Sequence, residues 1–67
     1  MILKLTRHAK EQMINRGLTT EQIKRAISMG ATTKQTDGYE SHYTYYSVCW
    51  KKLDAHVYKV KTVKIKD

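Results

Sequence analysis

The sequence predicts an α+β domain with the order β-α-α-β-β-β, in which two N-terminal helices pack on one face of a small antiparallel sheet. Between Thr6 and Gly30, two segments with helical spacing of apolar residues each follow a polar cap and end at a glycine. From Ala31 onward the pattern becomes strand-like and rich in β-branched and aromatic residues. Within that region, Asp37-Gly38 is typical of a hairpin turn.

The first strand and first helix are predicted from the opening residues. Residues 1–5 (MILKL) form a short apolar run that favours a strand, and Thr6 is a suitable helix N-cap. A helix is expected over residues 7–16, ending at Gly17, which can adopt the left-handed conformation common after helices. Its apolar side consists of Ala9, Met13 and Ile14.

The second helix has the clearest boundary signals. Thr19 and Gln22 have the spacing of a capping box, and Leu18 and Ile23 occupy the positions of a hydrophobic staple. Gly30 is expected to end this helix. Its apolar stripe consists of Ile23, Ala26 and Ile27.

Three further strands are expected after the helices. Residues 31–36 predict an edge strand, residues 41–50 a central strand, and residues 51–54 the turn before a last strand that begins near Ala55. Alternation along residues 41–50 assigns one face to His42, Thr44, Tyr46, Val48 and Trp50, and the other to Tyr43, Tyr45, Ser47 and Cys49.

The last strand contains a change of phase. Tyr58 and Val60 share one face, whereas Val63 and Ile65 fall on the opposite one. A strand can direct both pairs inward only if one residue is inserted between them, so we expect a β-bulge near Lys61-Thr62.

Composition limits the class of protein. A chain of 67 residues makes a single domain spanning residues 1–67, and 13 Lys and Arg against six acidic residues give a net charge of +7. This charge favours contact with polyanions such as RNA. Two alternatives stay open: the charge can serve solubility, or it can serve an acidic protein partner.

The cysteine count and the hydropathy of the chain argue against a disulfide, a metal site and a membrane span. Cys49 is the single cysteine, so no internal disulfide is possible, and its surroundings lack metal-ligand spacing. We therefore expect no metal and no cofactor. The sequence has no signal peptide and no apolar run that could span a bilayer, which predicts a cytoplasmic protein without a membrane partner. A monomer or a weak homodimer is expected.

Residues 6–21 (TRHAKEQMINRGLTTE) carry a recognisable motif. They resemble the opening of a family of small uncharacterised domains, which reads Thr-x-His-Ala-x-x-Arg-Met-x-x-Arg-Gly-Ile and continues into a capped helix. His8, Met13 and Arg16 match this pattern, whereas Gln12 stands where the family has its first arginine. The family is similar to the RelE-like toxins and to the barnase–EndoU–colicin–RelE group of metal-independent ribonucleases. The resemblance covers about residues 1–30 and, beyond them, the order of strands.

The resemblance implies RNA cleavage without a metal. This reaction needs a general base for the 2′-hydroxyl, a general acid for the leaving 5′-oxygen, and cations around the phosphate. His8 is the expected base, because the N-terminal end of a helix disfavours the imidazolium form. His42 is the candidate acid, and Arg16, Lys59 and Lys61 are the candidate phosphate ligands.

Further side chains are expected to contact RNA. Tyr43 and Tyr45 are predicted to be exposed and to stack on unpaired bases, whereas Tyr46, Tyr58 and Trp50 are predicted core residues. A ladder of lysines along the last strand would contact the backbone, although lysines on an edge strand also prevent aggregation. The ladder consists of Lys59, Lys61, Lys64 and Lys66.

A second hypothesis is a non-catalytic adaptor that uses the same basic face for nucleic acid or an acidic protein. Gln12 favours it, because a cation is missing from the proposed catalytic stripe. His8 can instead stabilise the helix start, and Arg16 can form a salt bridge or interact with the helix C-terminus. If the toxin hypothesis holds, the resemblance implies an antitoxin segment, acidic or hydrophobic, that covers the site.

Overall fold

The chain has an α+β fold, as predicted from the sequence. A computed structural model describes residues 1–66, which form two helices and five strands. In chain order these elements are β1 (Ile2–Leu5), α1 (Arg7–Arg16), α2 (Thr20–Met29), β2 (Ala31–Gln35), β3 (Gly38–Tyr43), β4 (Tyr46–Asp54) and β5 (Val57–Ile65). Neither helix among these residues is long and apolar enough to cross a membrane.

The strands form one mixed sheet in the order β1-β5-β4-β3-β2. Strands β2 to β5 pair antiparallel with one another in succession, as expected. Strand β1 instead pairs in parallel with β5, with Ile2 opposite Val57 and Leu5 opposite Val60. The first strand therefore lies at one edge of the sheet, next to the last.

The predicted helix boundaries are confirmed. The Thr6 hydroxyl accepts a hydrogen bond from the Ala9 N–H at 3.1 Å, and Gly17 ends α1 with φ 67°. At α2, Thr19 and Gln22 form both hydrogen bonds of the capping box. Local side-chain chemistry alone thus determines where both helices begin.

The single strand predicted at residues 41–50 is wrong. This segment is a hairpin: Tyr43 ends β3, Thr44 and Tyr45 form the turn, and Tyr46 begins β4. Consequently Tyr43 and Tyr46 are paired and share a face, although alternation along one strand had separated them. The turn predicted at residues 51–54 is also displaced, because β4 continues to Asp54.

The predicted hairpin turn between β2 and β3 and the predicted β-bulge in β5 are both present. A two-residue turn precedes Gly38, which has φ 99°, and a Cβ at Gly38 would overlap the Trp50 carbonyl oxygen. The bulge lies where it was expected. Cys49 pairs with Thr62 and the next residue, Trp50, pairs with Val60, so Lys61 is the inserted residue.

Both helices cover the same face of the sheet. The core cluster between them contains Ala9, Met13, Leu18, Ile23, Ala26, Ile27, Tyr46, Val48, Trp50, Val60 and Val63. Its polar groups are satisfied: the Tyr46 hydroxyl donates to the Gln22 carbonyl at 2.7 Å, and the Trp50 indole N–H donates to the Ser41 hydroxyl at 2.8 Å. The core thus occupies one side, and the other side of the sheet is left open.

Candidate nucleic-acid interface

The open side of the sheet is basic. We call it the lysine face, defined by Lys4, Lys51, Lys59, Lys61 and Lys64. The sheet register gives its arrangement: Lys59 lies directly between Lys4 on β1 and Lys51 on β4, and Lys64 lies opposite Ser47. Lys61, the bulge residue, contacts Asp37 together with Lys51. Four of these five lysines are exposed and Lys61 is half-buried.

Glu40 lies at the centre of a polar cluster on this face. Its carboxylate accepts hydrogen bonds from Gln35 at 3.0 Å and Ser47 at 2.9 Å. The Lys64 ammonium is 3.3 Å away, and the His42 Nε2 is 3.8 Å away. Burial alone would raise the pKa of Glu40, but the hydrogen bonds from Ser47 and Lys64, with the adjacent charges, hold it below its usual range.

Asp37 neutralises part of the charge at the β2–β3 turn. Its carboxylate lies 3.0 Å from the Lys51 ammonium and 3.8 Å from that of Lys61. The hydrogen bond and charge of Lys51 lower the pKa of Asp37 most, followed by the charge of Lys61 and, more weakly, that of Lys59. Asp37 is therefore ionised at neutral pH and bound to two of the five lysines.

Lys4 and Lys59 differ from the other members of the face. Neither has an acidic side chain within 4.0 Å among residues 1–66. Adjacent strands are about 4.8 Å apart, so the register places like charges side by side. Like charges directly opposite each other destabilise a sheet by roughly 0.2–1 kcal/mol.

The thiol on this face is not a nucleophile in its present surroundings. Cys49 is 6% exposed and lies directly opposite Glu40. Burial, and then the negative charge of Glu40, raises the pKa of the Cys49 thiol. The protonated thiol is a poor nucleophile at neutral pH. Ser47 likewise donates its hydroxyl to Glu40 rather than to a histidine, so no Ser-His arrangement exists there.

The two catalytic residues expected on α1 are both exposed. His8 lies in its first turn and Arg16 in its last. Eight residues separate them, which corresponds to about 12 Å along the helix axis. Gln12 lies between them but points to the sheet, where its Oε1 accepts a hydrogen bond from the Val63 N–H at 2.7 Å. Gln12 is therefore an attachment of α1 to β5.

The expected acid, His42, lies on the other side of the sheet from His8. His42 is on the open face beside Glu40, whereas α1 packs on the covered face through Ala9 and Met13. The sheet stands between the two imidazoles, so they cannot act together on one phosphodiester. The pairing of His8 as base with His42 as acid is therefore corrected by the fold.

The tyrosines expected to stack on bases are also apart from the lysines. Tyr43 is half-buried against the core on the covered face, with its ring edge-to-face with Tyr46 at 6.0 Å. Tyr45 is exposed in the hairpin turn, and its hydroxyl accepts a hydrogen bond from Gln22 Nε2 at 3.2 Å. The expectation that Tyr43 is exposed on the face opposite Tyr46 is wrong, because the turn at Thr44 reverses the chain.

Comparison with protein families places this chain beside a described domain. The model of a domain of unknown function, DUF4258, matches residues 5–67. This chain belongs to the DUF4258 family. No curated protein and no solved structure matches it.

The DUF4258 match spans both helices and strands β2 to β5, and it begins at the last residue of β1. It therefore includes Lys51, Lys59, Lys61 and Lys64 of the lysine face, whereas Lys4 precedes it. The similarity to RelE-like toxins stays a prediction.

Sequence reasoning identified three of the five lysines in this DUF4258 chain and missed Lys4 and Lys51. Lys4 alternates with two leucines in the first strand, which is a signal for a position on the face opposite them. Lys51 had been assigned to a turn. In the structure β4 extends to Asp54 and places Lys51 opposite Lys59, a pairing that no local sequence pattern indicates.

Proposed function

We propose that this protein binds single-stranded nucleic acid through the lysine face without cleaving it; RNA is the class that the resemblance implies. The observation that carries the proposal is the charge of the uncovered face. Five lysines lie there, and among residues 1–66 their acidic partners within 4.0 Å are Glu40 and Asp37, so five positive charges face two paired carboxylates. Such a face attracts a phosphate backbone by releasing its counterions.

The proposal excludes cleavage by the expected pair of histidines. A metal-independent ribonuclease needs its base and acid on either side of one phosphodiester. His8 and His42 are on opposite sides of the sheet, and Gln12 is engaged with the Val63 N–H. The non-catalytic hypothesis needs neither residue.

The first test measures RNA binding and its dependence on salt. Fluorescence anisotropy with a short labelled oligouridine should show binding that weakens steeply between 50 and 200 mM salt. The double variant Lys51→Gln/Lys59→Gln should lower the slope of log affinity against log salt by about 0.7 to 1.4, since each lost phosphate contact in a single strand contributes about 0.7 and Asp37 already neutralises part of the Lys51 charge.

The matched control removes two charges elsewhere. Lys34 lies on β2 opposite Tyr39 on the covered side of the sheet, and Lys24 lies on α2. The double variant Lys24→Gln/Lys34→Gln should keep the salt slope of the native protein. Equal losses in the two double variants would show that net charge, rather than the lysine face, determines binding and would contradict the proposal.

Toxin-type ribonuclease activity is the second candidate. The observation in its favour is that His8 and Arg16 are both exposed on one helix, clear of the core. Its test is cleavage of labelled single-stranded RNA in excess EDTA. If the proposed function is correct, the RNA stays intact. If the native protein cleaves the RNA and the variants His8→Ala and Arg16→Ala do not, the protein is a ribonuclease and the proposal of binding without cleavage is wrong.

A further inference from the structure

We infer that Lys4 and Lys59 form a nucleotide-binding seat, with the phosphate between the two ammonium groups. This inference rests on the proposed function and makes it specific. The lysine face carries five cations, but they are not equivalent. Lys4 and Lys59 have no acidic side chain within 4.0 Å among residues 1–66. The other three lysines each form an ion pair with Asp37 or Glu40.

The first argument is the register of the sheet. Parallel pairing of β1 with β5 places Lys4 directly opposite Lys59, and antiparallel pairing places Lys51 on the other side of Lys59. Two neighbouring ammonium groups without an internal counterion repel each other. A phosphate between them removes this repulsion, because it supplies a negative charge close to both, whereas no acidic side chain of residues 1–66 lies within 4.0 Å of either.

The second argument is a cleft beside these two lysines. A shallow cavity of about 350 Å³ is lined by Lys4, Leu5, Thr6, Leu53 and Lys59. This volume is at the small end of the roughly 300–1,000 Å³ that is usual for small-ligand pockets. Leu53 is 49% exposed and gives the cleft an apolar wall. A cleft with two cations and an apolar wall suits one nucleotide, with its phosphate on the lysines and its base against Leu53.

The third argument separates Lys61 and Lys64 from the seat. The Lys64 ammonium lies 3.3 Å from the carboxylate of Glu40. Lys61 donates to the carbonyl oxygen of Asp37 and lies 3.8 Å from its carboxylate. The charge of Lys64 is thus compensated by Glu40, and that of Lys61 is compensated in part, because Lys61 shares Asp37 with Lys51. Contact with a phosphate would require them to leave these partners, so they contribute less to binding.

Nucleic acid is a better occupant than a membrane. Exposed Ile2 and Leu53 beside lysines could also contact anionic lipid. However, the two unpaired lysines line a shallow cavity of nucleotide size, which one nucleotide can fill and a flat bilayer surface would leave empty. The chain therefore fits a single phosphodiester strand that crosses β1 and β5.

The experiment compares two pairs of lysines on the same face. Lys4→Gln and Lys59→Gln should each weaken oligouridine binding about tenfold at low salt and lower the salt slope by about 0.7. Lys61→Gln and Lys64→Gln should each weaken binding less than threefold. Circular dichroism and thermal unfolding of all four variants establish that each is folded. An equal loss in the two pairs, or a greater loss in the second pair, would overturn the inference while the proposed function stands.

Failure of the proposed function has a different signature. If the native protein binds no oligouridine, uridine monophosphate is titrated into the labelled protein and followed by amide chemical shifts. Shifts centred on Lys4, Leu53 and Lys59 that vanish in Lys59→Gln support the seat even then. Shifts elsewhere, no shifts, or binding only to vesicles of equimolar phosphatidylcholine and phosphatidylserine would reject it.

Discussion

At the scale of single residues, Thr44 has an unfavourable backbone conformation. Its φ is 48°, and it is the one non-glycine residue with positive φ among residues 1–66. A β-branched side chain is strained in this region, because its Cβ substituents crowd the backbone. The β3–β4 hairpin therefore forms in spite of its turn residue.

The variant Thr44→Gly should stabilise the protein by about 1 kcal/mol, since glycine adopts positive φ without the steric cost. Urea denaturation followed by tryptophan fluorescence measures the change. Thr36→Gly is the control: Thr36 is the first residue of the two-residue turn between β2 and β3 and does not have positive φ. Glycine at this position should not increase the free energy of unfolding. Equal stabilisation by both variants would show that relief of backbone strain at Thr44 is not the cause.

The missed hairpin has its cause in the same residue. Asp37-Gly38 predicts the β2–β3 turn, because glycine adopts positive φ readily and Gly38 does so here. Thr44-Tyr45 contains neither glycine nor asparagine, and both residues favour strands, so the local pattern indicated a continuous strand. Tertiary pairing of Tyr43 with Tyr46 determines this turn.

At the scale of elements, the N-cap of the first helix and one residue within that helix form hydrogen bonds with β5 beyond the end of β1. Strand β1 ends at Leu5, so β5 has no strand neighbour on that side beyond Val60. The Thr6 hydroxyl donates to the Lys61 carbonyl at 3.2 Å, and Gln12 accepts from the Val63 N–H at 2.7 Å. Two polar side chains thus form hydrogen bonds with the backbone of β5 at its edge, one on each side of Thr62, next to the bulge at Lys61.

Replacement of Gln12 by methionine should destabilise the protein by about 1–2 kcal/mol. Methionine keeps the volume but leaves the Val63 N–H without an acceptor. Gln12→Glu keeps an acceptor oxygen and should cost less. Chemical denaturation of the two variants under identical conditions provides the comparison. If Gln12→Met is as stable as the native protein, the hydrogen bond does not hold α1 to the sheet.

The sequence predicted the helices better than their attachment. Caps and glycines act within a few residues, so Thr6, Gly17 and Thr19 gave the helix boundaries correctly. The bond from Gln12 to Val63 joins residues 51 positions apart. No local pattern reports such a contact, and Gln12 was interpreted only as a missing cation.

At the scale of the whole molecule, one carboxylate connects four strands. Glu40 on β3 contacts Gln35 on β2, Ser47 on β4 and Lys64 on β5, with His42 nearby on its own strand. These contacts lower the pKa of Glu40 in the folded state, although burial opposes them. The folded protein therefore binds this proton less readily than the unfolded chain.

The stability contributed by Glu40 should be complete above the pKa of an unfolded glutamate, about 4.3, and be lost as pH falls through the lower folded-state pKa. Glu40→Gln should lower stability at neutral pH by about 1 kcal/mol and reduce the loss on acidification. Urea midpoints measured between neutral pH and the acid limit give both quantities.

Glu21→Gln is the control for this prediction. Glu21 lies 3.9 Å from Lys24 on the helix surface, with its side chain 73% exposed. Exposed ion pairs contribute little, so this variant should retain the native pH dependence. A native acid profile in Glu40→Gln would show that other groups determine the acid sensitivity.

The site could be predicted only in part, because face assignment depends on topology. Lys59, Lys61 and Lys64 were recognised from their spacing along one strand. The separation of His8 from His42 by the sheet depends on which face the helices cover. The parallel placement of β1 beside β5, which brings Lys4 to Lys59, likewise has no local signal.

The pairing of β1 with β5 also affects how the protein is made. Helix α1 packs mainly against β5, and the Thr6 side chain bonds to a carbonyl 55 residues further along the chain. During translation, the apolar side of α1 has no surface to cover it until residues 57–65 leave the ribosome. Long-range closure of this kind slows folding. We therefore expect α1 to dock only after β5 has been synthesised, so that the first half of the chain does not fold ahead of the second.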